Sequence, residues 1–427
     1  PPGASGWLDA ATPVAVDAQL EPGDGAVLPP GLGHLDVDFA ANDADDVHRV
    51  AITAPYLDLA IDAPGAPGPR HLELTPAEWA AVAATAPSAT LSVASTHDGD
   101  ATARVASATI ALCDLPIGPL AFSGAPVDAT GTLTAGPQLY RYDPAAAQTV
   151  PFVAAPAGGC IGCHESISAD GTRIAAAGID NGLFVGMIID TQRQTIATIS
   201  DDKAWTTAAF DPSGALVTAF EGGGQLALRD ASGAMISAIA TGEPADSPAI
   251  SPDGSALAYV ALPTPSDTMV GTALRVRPWS AASAQVGAPI TLATAADAVS
   301  PTFSRDGAWI AYAITAGTES ELAAATAIVR ADGSAPPIAV SAGMGDGYLR
   351  WVSPFASARV GGAAPEPMAW LAMASHRTIG GRALAGSKQE LWLVPFYPAR
   401  GAVGRPVHLP GQPAELATLH TPLALAQ

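Results

Sequence analysis

The 427-residue chain is poor in three things: cysteine, positive charge and long apolar runs. With three cysteines and scattered histidines, it offers no second short-spaced Cys or His pair to complete a four-ligand zinc site. Only 19 basic residues stand against 40 acidic ones, a formal charge of −21 that repels nucleic acid and anionic lipid and would steer in a cationic partner. The same acidity keeps a secreted, Ala-rich protein soluble. No apolar run reaches the eighteen residues of a spanning helix, so no transmembrane segment is expected. Also missing are a nucleophile elbow, a phosphate-cradling glycine loop and a helical metalloprotease motif, so no motif argues for an enzyme. The first residue is Pro1 and no charged, apolar leader is present. The expectation is an exported product located in the periplasm, on the outer surface or outside the cell, with a lipid anchor upstream of Pro1 left open.

Two of the cysteines stand in Cys160-Ile161-Gly162-Cys163-His164. Cysteines separated by two residues can bond both vinyl groups of one haem, and a histidine directly after the second reaches the iron from one face. The competing readings are a Cys160–Cys163 redox disulfide, half of a zinc site, or coincidence. A redox pair wants a βαβ context that the surrounding strand-and-turn pattern does not supply. The expected cofactor is one covalent haem c on Cys160, Cys163 and His164. Cys113, just past the apolar run 108–112, reads as a small core residue.

The architecture follows from repeats. Asp170-Gly171, Ser213-Gly214, Asp253-Gly254 and Asp306-Gly307 each sit between a short strand and an apolar one, their glycines 43, 40 and 53 residues apart. That is the length of one four-stranded propeller blade. A fifth unit over 350–409 keeps the strand order without the turn. A last strand at 420–426 would have no chain left to complete it, so segments 120–123, 138–143 and 149–154 are expected to close the ring. Ahead of the propeller, strand-like segments between 35 and 112 suggest a small Ig-like β-sandwich. One helix is expected there, opened by Thr75-Pro76-Ala77-Glu78. The expected fold is all-β: an irregular lead-in at 1–24, the sandwich at 25–115 and a six-bladed propeller at 116–427. The acidic group Asp36, Asp38, Asp43, Asp45 and Asp46 lacks the ligand order of a calcium loop and reads as a solvated face; His34, His48, His71 and His97 read as ordinary polar positions.

At SPDG (251–254) and SRDG (304–307) the propeller resembles the TolB-like family. QLYRYD at 138–143, CIGCHESISADGTR at 160–173 and the ending at 408–422 resemble a group of secreted bacterial proteins, common in myxobacteria, with one haem motif at the start of a TolB-like propeller. The resemblance covers about 310 residues and implies architecture and a haem. The chain departs from TolB in carrying CxxCH and lacking the TolB N-terminal pattern, so a TolB-type partner is not carried over.

The sixth iron ligand separates the functional readings. Aligning the hairpins puts His164 level with Thr207, Ser247 and Ser300, and His420 within one residue of that level in the closing blade, which makes His420 the candidate distal ligand. Met344, in the loop SAGMGDGY, is the alternative and would raise the reduction potential. Two imidazoles would make a monohaem electron-transfer protein that meets a redox partner. The other readings are a haem-bearing scaffold or self-assembling surface subunit, and a peroxidase-like enzyme or gas binder with an open iron position.

Overall fold

The computed structural model describes residues 8–16, 19–41, 47–64, 68–97, 100–199, 204–220, 224–265, 271–294, 298–315, 325–341, 345–386, 388–419 and 422–425. The chain is nearly all β, and its repeats are built on one turn. In SISADG the Ser168 hydroxyl donates to the Asp170 carboxylate at 2.6 Å, which also accepts from Thr172 N at 3.0 Å, while Gly171 takes φ +70°. The hydroxyl bond, foremost, holds the Asp170 carboxyl down at about 2. Ser251, Asp253 and Gly254 repeat the turn, as do Ser304, Asp306 and Gly307. Serine and aspartate tie the loop, and glycine alone takes the left-handed corner without strain.

Each turn links an inner strand to an apolar second strand. Four antiparallel sheets follow in order. They are Cys160–Ile167 through Thr195–Ile199, Trp205–Phe210 through Met235–Ile239, Ala245–Ile250 through Ile290–Ala293, and Ala298–Phe303 through Ile338–Ser341. A fifth holds Asp346–Trp351, Glu366–Ser375 and Glu390–Tyr397, with Val407–His408 outermost. In the sixth, Leu120–Pro126 pairs inward with both Leu416–Thr418 and Leu423–Ala424 and outward with Gln138–Asp143, which pairs with Gln148–Val153. The closing strand therefore begins at Leu416, four residues before the expected start, because its register is set by Leu120–Pro126. The inner strands touch in sequence, and Leu423–Ala424 meets both Asp346–Trp351 and Cys160–Ile167, so the arrangement is a β-propeller in which the strands from Leu120 to Val153 and those from Leu416 on share a sheet.

The N-terminal region has two sheets. One orders Thr12–Ala15, Thr102–Leu112, Ser88–Thr96, Val47–Ala54 and Leu57–Pro64, with Ala26–Leu28 also on Thr102–Leu112; the other orders Leu20–Glu21, Leu35–Ala41 and Gly68–Leu74. The lead-in is thus not wholly irregular: Thr12–Ala15 runs parallel to Thr102–Val105. Helix Pro76–Thr85 opens on a complete capping box, Glu78 N donating to Thr75 Oγ1 and Thr75 N to Glu78, and it buries Trp79 and Val82. One hydrophobic cluster runs from Val37, Val50 and Trp79 to Met368, Trp370 and Leu391 of the fifth propeller sheet. Cys113 lies within it, its thiol pushed up to about 11 by burial.

Beside this apolar seam runs an ionic one. Glu390 is buried between Lys388 Nζ at 2.5 Å and His408 Nε2 at 2.6 Å. Burial alone would raise its carboxyl, but the His408 hydrogen bond and the two positive charges outweigh that and hold it at about 2, below its ordinary 4.5. A depressed carboxyl contributes stability that is complete above 4.5 and lost as pH falls through 2. For His408, burial lowers the imidazole, yet the Glu390 bond and charge leave it raised above 6.5, so its contribution is complete below 6.5 and lost at higher pH. Glu390→Gln should cost about 3–5 kcal/mol at pH 6 and flatten the loss of stability between pH 4.5 and 2. Denaturant titration across that range checks it, and an unchanged acid limb would count against the assignment.

Candidate functional site

The motif forms the start of the first inner strand, Cys160–Ile167. In a regular strand, residues three apart fall on opposite faces. Here the ladder is broken: Cys160 pairs with Ile179, Ile161 with Gly178 and Cys163 with Ala177, leaving Gly162 as an extra residue. Ile179 and Ala177 are two apart on their own strand and share a face, so the bulge brings positions 160 and 163 to that same face. This is what two thioethers to one planar ring require. Cys160 is half-buried, and the half-exposed apolar residues Ile179 and Phe184, cross-strand partners, lie on its face of the sheet.

Gly162 makes the bulge possible. It takes φ +137°, and a Cβ there would land on the Ser123 hydroxyl, which itself donates to Ile161 O at 3.2 Å. A second irregularity follows between Cys163 and Ser166, where His164 adopts φ +57°. Ser247 (φ +49°), Ser300 (φ +52°) and Tyr348 (φ +55°) occupy the same kind of bulge in three other inner strands. His164, Thr207, Ser247 and Ser300 each precede their turn glycine by seven residues, which is how the repeat alignment placed them level. In the Trp205–Phe210 strand the irregularity lies before Thr207, whose hydroxyl donates to the buried Asp246 carboxylate at 3.0 Å.

His164 is buried, and its ring centroid lies 6.1 Å from that of Tyr348. Sequence reasoning missed Tyr348, because the fifth unit lacks the turn glycine from which the others are counted. Past His164 the strand enters the channel: Glu165, Phe210, Pro248, Phe303, Arg350 and Pro422 line a cavity of about 430 Å³. His420 and Met344 lie outside the described residues, and Cys163 is described by its backbone alone. Leu419 N, just before His420, donates to Ser123 O at 2.9 Å, next to the Ile161-Gly162 bulge. The donor set (one imidazole, two cysteine positions on one face, apolar residues beside them) fits a covalently held haem. The acidic strand Leu35–Ala41 departs from expectation: Asp36 and Asp38 are buried rather than a solvated face, as are His34 and His48, while Asp43, Asp45 and Asp46 lie outside the described residues.

No protein-family model matches the chain, and no curated protein matches its sequence. Among solved structures, TolB from Acinetobacter baumannii is similar over 78% of this chain and 85% of its own, at 14% identity and TM-score 0.42. The putative TolB from Agrobacterium tumefaciens is similar over 71% of this chain and 97% of its own, at 11% identity and TM-score 0.38. Hydrazine synthase from Kuenenia stuttgartiensis is similar over 58% of this chain, at 14% identity and TM-score 0.38, and the chain spans 65% of that protein's length.

Gly162→Ala should destabilise the chain by about 1–3 kcal/mol, from the backbone conformation and the clash with Ser123 together. Adding Ser123→Gly should recover the steric part. Chemical denaturation of the single and double variants measures both, and a stable single variant would show that the strand has another way to bulge.

Proposed function

We propose that this chain is a monohaem c-type cytochrome that works in electron transfer at the cell envelope or surface. The observation that carries the reading is the bulge at Gly162, which brings positions 160 and 163 to one face of the strand. Cys160 and Cys163 would hold the ring by thioethers and His164 would supply the proximal nitrogen. When bound, haem iron exchanges single electrons without a proton or group transfer. The chain's part is to fix ring and ligand: His164 is held by a backbone that cannot slide, since its strand is paired on one side and packed on the next inner strand on the other.

The reading includes a six-bladed, TolB-like ring closed by strands from both ends, with the N-terminal sheets forming a β-sandwich beside it. Covalent attachment of haem belongs to compartments outside the cytoplasm, which makes this a secreted or envelope protein. The charge of −21 favours a cationic redox partner. His420 is the proposed distal ligand, with Met344 next. The hydrogen bond that pins Leu419 to Ser123, beside the motif, supports a ligand from this part of the closing strand.

Mass spectrometry under denaturing conditions tests the attachment. Protein made in a host with a working cytochrome c maturation system should carry the mass of one haem, and Cys160→Ala with Cys163→Ala should carry none. An unmodified wild-type mass from that host would refute the reading. The distal assignment predicts that His420→Ala shifts the spectrum toward high spin and lets the reduced form bind carbon monoxide; a spectrum that stays low-spin moves the assignment to Met344.

A further inference from the structure

The small N-terminal sheet turns a set of metal-ligating side chains toward the propeller. Its register pairs Asp36 with Glu73 and Asp38 with His71, and alternation places these four on one face with His34, while Leu35, Val37 and Phe39 fill the core. The face is covered. Gly411 N donates to Asp36 Oδ2 at 3.0 Å, and a Cβ on Gly380 would collide with the Asp38 backbone. Buried carboxylates demand a cation or a full set of donors. Asp38 has the His71 Nδ1 at 3.1 Å, but Asp36 Oδ1 has no hydrogen-bond partner among the described residues. Nor has the buried His34 Nε2, although the two atoms stand 3.2 Å apart.

Two buried ligating atoms this close, with no hydrogen bond formed between them, leave room for a shared third atom. Ligands about 2.1 Å from one ion at a tetrahedral angle lie roughly 3.4 Å from each other. Glu73 supplies the next donor: one ligating atom from each of His34, Asp36 and Glu73 lies within 4.8 Å of the other two. His71 Nε2 stands 3.8 Å from Asp36 Oδ1, at the edge of the group. We propose that His34, Asp36 and Glu73 bind a divalent transition metal of the zinc class, with His71 within reach of the fourth position. Imidazole among the donors selects zinc over calcium, which takes oxygen ligands almost alone. The ion would pin the N-terminal sheet to the 409–412 loop and to the 144–147 turn, where Gly33 N already donates to Pro144 O at 2.8 Å. Its role is structural, since the ion closes a seam between two parts of the fold.

The full-length chain, freed of metal with a chelator, is titrated with zinc chloride by calorimetry, and its melting is followed with and without zinc. One equivalent should bind and raise the melting temperature. Glu73→Gln and His34→Ala should each weaken binding at least about tenfold, whereas His97→Ala, elsewhere in the domain, should not. Glu73 is exposed, so its variant folds and remains readable even where His34→Ala does not. Absence of zinc binding in the wild type, equal affinity in Glu73→Gln, or calcium bound more tightly than zinc would each overturn the proposal.

Discussion

The inner strand of a propeller blade must pair on one side with its own sheet and still pack on its neighbours around a channel, and here it does so with a bulge. At His164, Ser247, Ser300 and Tyr348 the backbone enters the left-handed region, drops one ladder position and adds twist. Small polar residues take this place at two strands and an aromatic at a third. In the first strand the same irregularity carries a histidine, and the neighbouring bulge at Gly162 brings two cysteine positions to one face. The candidate site is therefore a local variation on a device that the fold uses in several blades. The pentapeptide at 160–164 is accommodated in a strand by that device.

Much of this was legible in the chain because the determining interactions are short-range. Ser-x-Asp-Gly turns close on themselves, and the Thr75–Glu78 box needs four residues, so both can be read locally. The seven-residue offset to the turn glycine placed His164 level with Ser247 and Ser300. What escaped depends on distant partners. Thr12–Ala15 is a strand only because Thr102–Val105 lies alongside, and the closing strand takes its bounds from Leu120–Pro126. Asp36 and Asp38 alternate like solvated residues, yet a loop more than three hundred residues later covers them.

The join between the N-terminal sheets and the propeller mixes two kinds of interaction with different tolerances. Trp370, whose Nε1 donates to Leu115 O at 2.9 Å, anchors a continuous apolar core that resists pH. Around it, Glu390 and His408 are buried charges whose cost is met by each other and by Lys388. Glu21 is less well provided: burial foremost pushes its carboxyl up to about 7, despite the His408 N bond at 3.2 Å. A raised carboxyl favours the folded state most below its ordinary 4.5 and loses that advantage as pH climbs toward 7, opposite in sign to Glu390. The two carboxyls flank the same strand and set opposing limits on the pH range in which the join is tight.

If the Gly162 bulge holds both cysteines against one ring, an experimental structure of protein produced with haem maturation will show two thioether bonds leaving the Ala177–Ile179 face of the Cys160–Ile167 strand, with a His164 nitrogen on the iron. A Cys160–Cys163 disulfide, or a haem held by one cysteine with His164 turned away, would show instead that the bulge does not serve a haem.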